Sequence, residues 1–317
     1  MTKKKVVVLG GGNGTAAAVV ALKQNLEKFD ISAIVSTSDS GSSSGRLRRE
    51  LGVSPPGDIM RVVLAMSKYD YPLLKKIFYT NRFSVKGKLN KHNLGNIFLA
   101  LSTKYSGDFL KAIEALSQSV EAVGKVYPNT LKSNHLCAKL NNGVIVKTEA
   151  AIDEPKYNRN LKIGKVFLEP KVKAYKEAVK AILQADYIIF SPGSLYTSVI
   201  ASILPNGINA AIGKSKAKLV FVVGNAFHPH GETGPEDIKG TVEALQSYVS
   251  RPLDLILHNN HKLSALEKKK YKEKKWGVLK DNCQEIKNVK VVGFDYERDG
   301  GGLCAIKLGK KFKEIFK

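Results

Sequence analysis

The glycine turn GGGNGT at Gly10–Thr15 has residue types suited to binding phosphate, and it directly follows the apolar run Val6–Leu9. Glycine lets a backbone approach a ligand closely, and the N–H groups that open a following helix attract anions. From Gly12 the residues also satisfy a G-x-G-x-x-A dinucleotide pattern, but no acidic residue ends the second predicted strand at Ser36 to bind a ribose diol. A tight strand-to-helix turn without a ligand explains the same glycines equally well.

A second candidate loop spans Thr37–Gly57, TSDSGSSSGRLRRELGVSPPG, after the predicted strand Ile31–Ser36. Its serine hydroxyls and arginines suit phosphate or carboxylate, because guanidinium makes bidentate contacts with such anions. A disordered polar linker has a similar composition. We interpret the segment as a binding loop and expect Arg46 to contact a phosphate, the plain alternative being an exposed arginine at a helix start.

Two further polar segments follow predicted strands in the second half of the chain. Ser191–Ser194, SPGS, comes after YIIF, and Asn225 comes after FVVG. Because ligands bind where parallel strands end, these segments and the first two loops predict one site for a nucleotide-like ligand. A serine nucleophile in SPGS is not expected, because its glycines lack the G-x-S-x-G spacing and no histidine–acid pair can be assigned.

The elements that position these loops alternate between short apolar strands and amphipathic helices. This alternation predicts an α/β fold, specifically a Rossmann-like, doubly wound, mostly parallel sheet in a single domain of residues 1–317. A small antiparallel β-rich insertion is expected at residues 124–170, with Asn141–Gly143 as a turn. Asp58 is expected to cap a helix over Ile59–Ser67 rather than to bind a ligand. The other predicted strands are Val6–Leu9, Ser133–Leu140, Val144–Val146, Lys165–Leu168, Tyr187–Phe190, Leu219–Val223, Leu253–Leu257 and Val289–Val292. The other predicted helices are Thr15–Leu26, Tyr71–Phe78, Leu94–Ser102, Phe109–Ser119, Val172–Leu183 and Asp237–Val249.

Composition narrows the function classes. The 317 residues include 51 Lys and Arg against 28 Asp and Glu, a net charge of +23, which favours polyanionic partners such as RNA. Much of this charge is in lysine runs such as Lys268–Lys275, where only Tyr271 and Trp276 could stack on bases. No apolar run reaches the roughly 20 residues that cross a bilayer, and the N-terminal run is too short for a signal peptide. We therefore expect a cytoplasmic protein that does not bind membranes and has a weak affinity for nucleic acid. A basic RNA-binding protein is an alternative function.

Cysteines and histidines give little indication of a metal site. Cys137, Cys283 and Cys304 have no paired or metal-like spacing, which fits packing residues in a reducing compartment. The pairs His228-Pro-His230 and His258-x-x-His261 lack a carboxylate-rich helix nearby, and the second resembles a polar turn. No structural metal is expected.

Several longer segments resemble one known family. They are VVVLGGGNGT, SDSGSSSGRLRRELGVSPPGDI, HNLGNIFLAL, LCAKLNNGVIVKTEAAID, ADYIIFSPGSLYTSVIASILPNGINAAI and NAFHPHGETGPEDIKGTVEAL, which extend from about Lys5 to Leu257. The combination resembles the gluconeogenesis-factor (YvcK-like) family, which shares its fold with CofD-like 2-phospho-L-lactate transferases. The segments SSSGRLRRELGVSPPGDI and SPGSLYTS are the most specific.

The resemblance implies a three-layer Rossmann-like fold, a cytoplasmic location and a homodimer. It implies binding of a nucleotide sugar, chiefly UDP-N-acetylglucosamine, and a regulatory role that links carbon metabolism to cell-envelope synthesis and cell shape through an unidentified protein partner. No cofactor is required, although NAD or Mg²⁺ are further candidate ligands. The CofD-like branch instead implies magnesium-dependent transfer of a phospholactyl group to a deazaflavin. We expect a ligand-binding protein rather than an enzyme, because no nucleophile, acid or base constellation can be assigned.

The chain departs from the family pattern in two places. Asp39-Ser40-Gly41-Ser42-Ser43 stands where relatives have Asp-Asp-Gly-Gly-Ser, which leaves Asp39 as a weak magnesium candidate. Gly10–Gly12 are followed by Asn13, Gly14 and Thr15 where relatives have Gly-Gly-Gly-Thr-Gly. The second change should preserve phosphate binding but alter the orientation of the bound nucleotide.

Residue roles follow from the resemblance by position. The glycine turn would form the floor of the nucleotide site, Asn96 would contact the base or sugar, and Asn225 the uracil or ribose. No catalytic residue is implied. The full set implied to bind the ligand is Gly11, Gly12, Asn13, Gly14, Thr15, Asp39, Ser42, Ser43, Arg46, His92, Asn96, Ser191, Gly193, Ser194, Asn225 and Arg298.

Overall fold

The computed structural model describes residues 2–316, and its centre is a parallel sheet of seven strands in the order β10-β9-β8-β7-β1-β2-β3. A separate three-stranded antiparallel sheet has the order β5-β4-β6. The strands are β1 (Lys4–Gly10), β2 (Phe29–Val35), β3 (Lys125–Pro128), β4 (His135–Leu140), β5 (Ile145–Lys147), β6 (Ile163–Glu169), β7 (Tyr187–Phe190), β8 (Lys218–Val222), β9 (Leu255–Asn259) and β10 (Lys290–Phe294).

Helices cover both faces of the parallel sheet, as expected when its strands are apolar on both sides. Within residues 2–316 the α-helices are α1 (Gly12–Lys23), α2 (Ser42–Leu51), α3 (Gly57–Met66), α4 (Tyr71–Lys75), α5 (Leu94–Ser106), α6 (Phe109–Ser119), α7 (Glu149–Asp153), α8 (Lys176–Leu183), α9 (Ala201–Ile203), α10 (Ile208–Lys214), α11 (Ile238–Gln246), α12 (Ala265–Glu273) and α13 (Ala305–Ile315). Lys76–Thr80 and Leu195–Ile200 are π-helical, and Cys283–Glu285 is one 3₁₀ turn.

The central strand shows how sequence produces this layering. Val6 and Val8 pack with α1, α3 and α13 on one face, whereas Val7 and Leu9 pack with α8 and α10 on the other. All four side chains are almost completely buried. A short apolar run without polar alternation therefore belongs to a strand covered on both sides, and the predicted Rossmann-like α/β fold is confirmed.

The order of the strands changes direction next to β1. The chain builds outward from β1 through β2 to β3, returns to place β7 on the other side of β1, and then builds outward to β10. The direction of winding therefore reverses between β1 and β7, and such a reversal opens a crevice at the carboxyl ends of the strands. We call this place the β1–β7 edge, defined by Gly10–Gly14 and Ser191–Ser194.

The predicted antiparallel insertion is present, with different bounds. Strand β4 pairs with β5 and with β6 in antiparallel register. However, β3 lies inside the predicted range 124–170 but pairs in parallel with β2 at the edge of the main sheet. The small sheet therefore starts at β4, and its connection β5–α7–β6 carries α7 back toward the main sheet.

Three local predictions were wrong. Helix α1 begins at Gly12, with Gly11 as its N-cap, so most of the predicted glycine turn is helical. Half of the predicted loop Thr37–Gly57 forms α2, because Ser43, Ser44, Gly45 and Leu47 supply a buried face that outweighs their weak helix propensity. Helix α3 is preceded by Pro56, not capped by Asp58, which lies within its first turn.

No helix within residues 2–316 is long and apolar enough to span a bilayer.

Candidate functional site

The two halves of the β1–β7 edge are packed directly against each other. The Thr15 hydroxyl donates to the Gly11 carbonyl at 2.9 Å, and its oxygen lies 2.7 Å from the Ser191 hydroxyl. Because Thr15 uses its only proton on Gly11, Ser191 is the donor in the second bond. Both side chains are fully buried. Thr15 and Ser191, predicted as ligand contacts, therefore join the two loops to each other.

Gly14 makes this close contact possible. A Cβ atom at position 14 would lie 1.7 Å from the main-chain oxygen of Pro192, which no side chain can tolerate. Asn13 and Gly193 on either side of the contact are exposed, and Gly12 and Ser194 are half-buried. These four predicted residues therefore border the open part of the edge.

Asp58 occupies the N-terminus of α1. Its carboxylate accepts a hydrogen bond from the Gly12 N–H and one from Arg61 Nη1 at 3.0 Å. A Cβ atom on Gly11 would lie 2.5 Å from Asp58 Oδ2, which shows how closely the carboxylate approaches the turn. Burial raises the pKa of Asp58 to about 6, although Arg61 and the Gly12 N–H oppose the shift.

A second carboxylate occupies the helical start that follows SPGS. Glu232 accepts the main-chain N–H of Tyr196 at 3.1 Å and that of Thr197 at 3.0 Å. Burial raises the pKa of Glu232 to about 7 even though these N–H groups favour its charged form. The main-chain donors at the start of this helical segment are thus already bound by a side chain of the protein.

Three more carboxylates stand near these two, and Asp39 acts electrostatically on Asp58, Glu149 and Asp153. Glu149 at the start of α7 accepts the Ser40 N–H at 3.0 Å, and Asp39 accepts the Gly41 N–H at 2.9 Å. Burial, followed by repulsion from Asp39, raises the pKa of Glu149 to about 8. Burial also raises the pKa of Asp153, at the end of α7. We call Asp39, Asp58, Glu149, Asp153 and Glu232 the acidic group.

The acidic group does not form a ready metal site by itself. Within residues 2–316, no three of its carboxylates bring an oxygen each within 4.8 Å of one another. A hard cation would therefore need further oxygen ligands, such as those of a phosphate. Nevertheless, Asp39 has carboxylate neighbours that its local sequence did not suggest, because these carboxylates belong to α3 and α7.

Positive charge lies on another side of Asp58. Arg61 stacks on the Tyr79 ring, 4.4 Å from its centroid, and its Nε is buried without a hydrogen-bond partner. Burial lowers the pKa of Lys75, and the positive charges of Arg298 and Arg61 lower it further. The predicted residue Arg298 is exposed and donates to the Gly301 carbonyl at 2.9 Å. We call Arg61, Lys75 and Arg298 the basic group.

Ser43, His92 and Asn96, three of the residues predicted to bind the ligand, form hydrogen bonds with one another. Asn96 Nδ2 donates to Ser43 Oγ at 3.0 Å, and Ser43 Oγ shares a hydrogen bond of 2.6 Å with His92 Nδ1. All three are buried, and burial is the main reason that the pKa of His92 is lowered. Ser42 precedes them with a φ of 40°, and Asn96 Oδ1 is buried without a partner. The network joins the start of α2 to α5.

Arg46, which is predicted to contact a phosphate, donates to main-chain carbonyls of the protein. Its Nη1 donates to the Asn90 carbonyl at 2.7 Å and its Nη2 to the Lys88 carbonyl at 2.8 Å. The guanidinium therefore fixes the loop Lys88–Asn90 to α2. The arginine that does lie beside the glycine turn is Arg61, which sequence reasoning missed because it sits within an apolar helix.

Asn225 is oriented by a buried glutamate. Glu297 Oε2 accepts Asn225 Nδ2 at 2.7 Å and Asn259 Nδ2 at 2.8 Å, and Oε1 accepts the Tyr271 hydroxyl and the Gly302 N–H. Glu297 is only 2% exposed. Because the Asn225 amide nitrogen donates to Glu297, its Oδ1 is the atom left to accept a hydrogen bond.

A groove elsewhere shares no residue with this site. It measures about 760 Å³ and lies between α11 and the segment Glu285–Val289. Its walls hold none of the predicted ligand residues and no member of the acidic or basic group.

Comparison with known proteins places the chain in a family. The model of the family described as 2-phospho-L-lactate transferase CofD matches residues 6–295. The gluconeogenesis factor of Bacillus subtilis is 36% identical over 272 residues, which cover 85% of this chain and 83% of that protein. The gluconeogenesis factor of Halalkalibacterium halodurans is 38% identical over 265 residues, 82% of this chain and 80% of that protein.

A solved structure agrees with the fold over almost the whole chain. A crystal structure of a protein from Bacillus halodurans superposes with a TM-score of 0.89 at 34% identity, covering 98% of this chain and all of that one. Sequence and fold thus lead to the same group. The chain belongs to the CofD family and, within it, to the gluconeogenesis factors.

Proposed function

We propose that this protein binds a nucleotide sugar of the UDP-N-acetylglucosamine type at the β1–β7 edge and acts as a regulator rather than an enzyme. The observation that carries the proposal is the division of charge around Gly12. Asp58 of the acidic group accepts the Gly12 N–H, and Arg61 of the basic group donates to the same carboxylate. The negative charge of a diphosphate that links a sugar to a nucleoside suits the basic group.

The acidic group creates a requirement for a cation in this proposal. A diphosphate near Asp39 and Asp58 would be repelled unless positive charge were placed between them. Mg²⁺ fits, because it binds to one or two carboxylates together with phosphate oxygens. Asp39 is the carboxylate best placed to hold it, since its charge acts on Asp58, Glu149 and Asp153. When bound, the ion would neutralise the phosphates and align them with the glycine turn.

Asn225 supports uracil as the base in this proposal. Its Oδ1 is turned outward as an acceptor by Glu297. The N3–H group of uracil is a donor, whereas N3 of cytosine is an acceptor and would face the same oxygen without a hydrogen bond. Leaving a polar group unpaired is costly, so one such contact discriminates between the bases.

Calorimetric titration tests the proposal. Purified protein is titrated with UDP-N-acetylglucosamine, the corresponding CDP-sugar and NAD, each with and without Mg²⁺. We expect saturable binding of the UDP-sugar that is stronger with Mg²⁺ and weak binding of the CDP-sugar, with no product by chromatography. Equal binding of both bases would remove Asn225 from base recognition, and no binding of any nucleotide would refute the proposal.

The second candidate function is phospholactyl transfer of the CofD type. It is favoured by the family match over residues 6–295 and by carboxylates around Asp39 that could hold Mg²⁺. Incubation with an activated phospholactyl donor, a deazaflavin acceptor and Mg²⁺ tests it. Product that forms with the unaltered protein but not with Asp39→Asn would establish transfer and overturn the proposal of a non-catalytic regulator.

The remaining expectations belong to the same proposal. They are a homodimer, a cytoplasmic location and a protein partner in cell-envelope synthesis that reads the bound state. Light scattering of the purified chain tests directly whether it forms a homodimer. A mass that corresponds to one chain at all concentrations would exclude the dimer.

A further inference from the structure

Three side chains outside the proposed ligand site meet at the end of β9. His258 is the last but one residue of β9, and Asp281 and Cys283 lie in the connection between α12 and β10. One imidazole nitrogen, one carboxylate oxygen and the sulfur all lie within 4.8 Å of one another. Asp281 also accepts the Cys283 N–H at 3.1 Å, which keeps the two loop residues together.

The imidazole of His258 has an unsatisfied nitrogen that faces this cluster. Its Nδ1 is buried without a hydrogen-bond partner, in a residue only 7% exposed. The nearest carboxylate oxygen, Asp281 Oδ2, is 3.9 Å away, which is too long for a hydrogen bond. Buried polar atoms are almost always paired, so an unpaired one that faces two potential ligands indicates a missing partner.

The neighbouring strand leaves room for the ring. Gly293 of β10 is directly paired with His258, and a Cβ atom there would lie 2.6 Å from His258 Nε2. Any side chain at position 293 would push the imidazole away. The ring is therefore seated between β10 on its Nε2 side and the loop of Asp281 and Cys283 on its Nδ1 side.

We propose that His258 Nδ1, Cys283 Sγ and the Asp281 carboxylate bind one Zn²⁺ ion. Imidazole and thiolate together select zinc over magnesium or calcium, and three protein ligands with one water is a common zinc arrangement. Tetrahedral zinc bonds place ligand atoms roughly 3.5 Å apart, so a separation at the 4.8 Å limit would have to shorten by about 1.3 Å. Asp281 is exposed and Cys283 half-buried on a loop, so this side of the cluster can make that adjustment.

Binding requires the thiol to lose its proton. Burial and Asp281 raise the pKa of Cys283 to about 12, so the metal-free protein holds a thiol. A bound zinc ion displaces such a proton, because the metal stabilises the thiolate far more than water does.

A zinc ion here would join β9 to the start of α11. Asn282, between two of the ligands, donates to Asp237 Oδ1 at 2.9 Å and accepts the Lys239 N–H at 3.0 Å. On the strand side, the residue after His258 is Asn259, which donates to Glu297. The site is therefore structural, and it shares no residue with the proposed nucleotide site.

Cobalt titration tests this proposal with a spectroscopic readout. Untagged protein is stripped with a chelator and titrated with Co²⁺, which occupies zinc sites and absorbs visibly when four-coordinate. We expect one Co²⁺ per chain, a thiolate-to-cobalt charge-transfer band in the near ultraviolet, and loss of both signals on adding Zn²⁺. Cys283→Ser should remove the charge-transfer band, and His258→Gln should weaken Zn²⁺ binding about tenfold or more.

Matched variants distinguish this site from adventitious binding. Cys304→Ser and His261→Gln change the same residue types outside the cluster and should leave the spectrum intact. Cys283→Ser alters a half-buried loop residue, so it keeps the test valid if His258→Gln does not fold. A charge-transfer band that survives Cys283→Ser, or Zn²⁺ affinity equal in Cys283→Ser and the unaltered protein, would overturn the proposal.

Discussion

At the residue scale, the unusual feature is the number of carboxyl groups that burial makes hard to ionise. The pKa is raised to about 6 for Asp58, to about 7 for Glu232 and to about 8 for Glu149. Desolvation is the largest cause in each case. A phosphate ligand with its cation would meet these groups directly, so proton and cation compete for the same carboxylates.

These shifts predict a pH dependence of stability. The folded protein keeps the protons of these three groups up to a higher pH than the unfolded chain does. The groups therefore stabilise the fold fully only below the pKa values that they have in the unfolded chain. Their contribution to the free energy of unfolding is lost as the pH rises from about 4 to about 8. The melting temperature should fall over this range in the metal-free protein, and less so in Glu149→Gln. A melting temperature that rises from pH 6 to pH 8 would contradict the buried positions of these groups.

Glu297 gives a second prediction at this scale. Its carboxylate accepts four donors, and an amide in its place must turn an N–H group toward at least one of them. Glu297→Gln should therefore lower the free energy of unfolding by about 1–3 kcal/mol in urea denaturation. The matched change Glu285→Gln, in an exposed pair with Lys239, should cost less than about 0.5 kcal/mol. Equal effects of both variants would show that Glu297 has no special role.

At the scale of elements, the contact of α1 with the loop after β7 determines the geometry of the β1–β7 edge. The helix can approach the main chain of Pro192 only because position 14 has no side chain. The same approach brings Thr15 to Ser191 and so fixes Gly12 and Gly193 at the opening of the edge.

Gly14→Ala tests this contact. The added Cβ would overlap the Pro192 oxygen, and main chain on both sides leaves little room to relax, so we expect a loss of about 3 kcal/mol or more, or failure to fold. Gly164→Ala is the matched control, since its Cβ would lie 3.5 Å from the nearest atom on the exposed surface of β6. Circular dichroism during urea denaturation measures both. A Gly14→Ala protein as stable as Gly164→Ala would show that the two loops are not in contact.

The elements also show how far sequence could predict the site. The parallel strands were predictable because runs such as Tyr187–Phe190 are short, apolar and followed by turn residues. Helix α2 was not, because Ser42–Gly45 have low helix propensity and its stability comes from contacts with His92 and Asn96. Carboxylates such as Glu149 and Glu232 could not be assigned to the site from the sequence, because each lies far along the chain from the turn whose N–H groups it binds.

At the scale of the whole molecule, the net charge of +23 contrasts with an acidic group at the proposed site. Lysines dominate elsewhere, for example on α12, where Lys268, Lys269 and Lys270 follow one another. Binding of a polyanion by such a surface should therefore be separate from binding of a nucleotide.

Filter binding of a short RNA over a salt series tests this separation. We expect affinity to fall steeply with salt, because phosphate contacts release counterions, and to be unaffected by saturating UDP-N-acetylglucosamine. RNA that is tightly bound at physiological salt and displaced by the nucleotide sugar would favour a nucleic-acid-binding function instead.

The measurement that tests the central claim most directly is the affinity for UDP-N-acetylglucosamine with Mg²⁺ in Lys75→Gln and Lys76→Gln. The two lysines are adjacent, but Lys75 is half-buried and coupled to Arg61 and Arg298, whereas Lys76 is exposed. A lost hydrogen bond between charged groups corresponds to about 1.5–3 kcal/mol, so Lys75→Gln should weaken binding roughly tenfold or more. Lys76→Gln, at an exposed position, should bind as the unaltered protein does. Equal affinities of the two variants, or no binding by the unaltered protein, would contradict a nucleotide-sugar site between the acidic and basic groups.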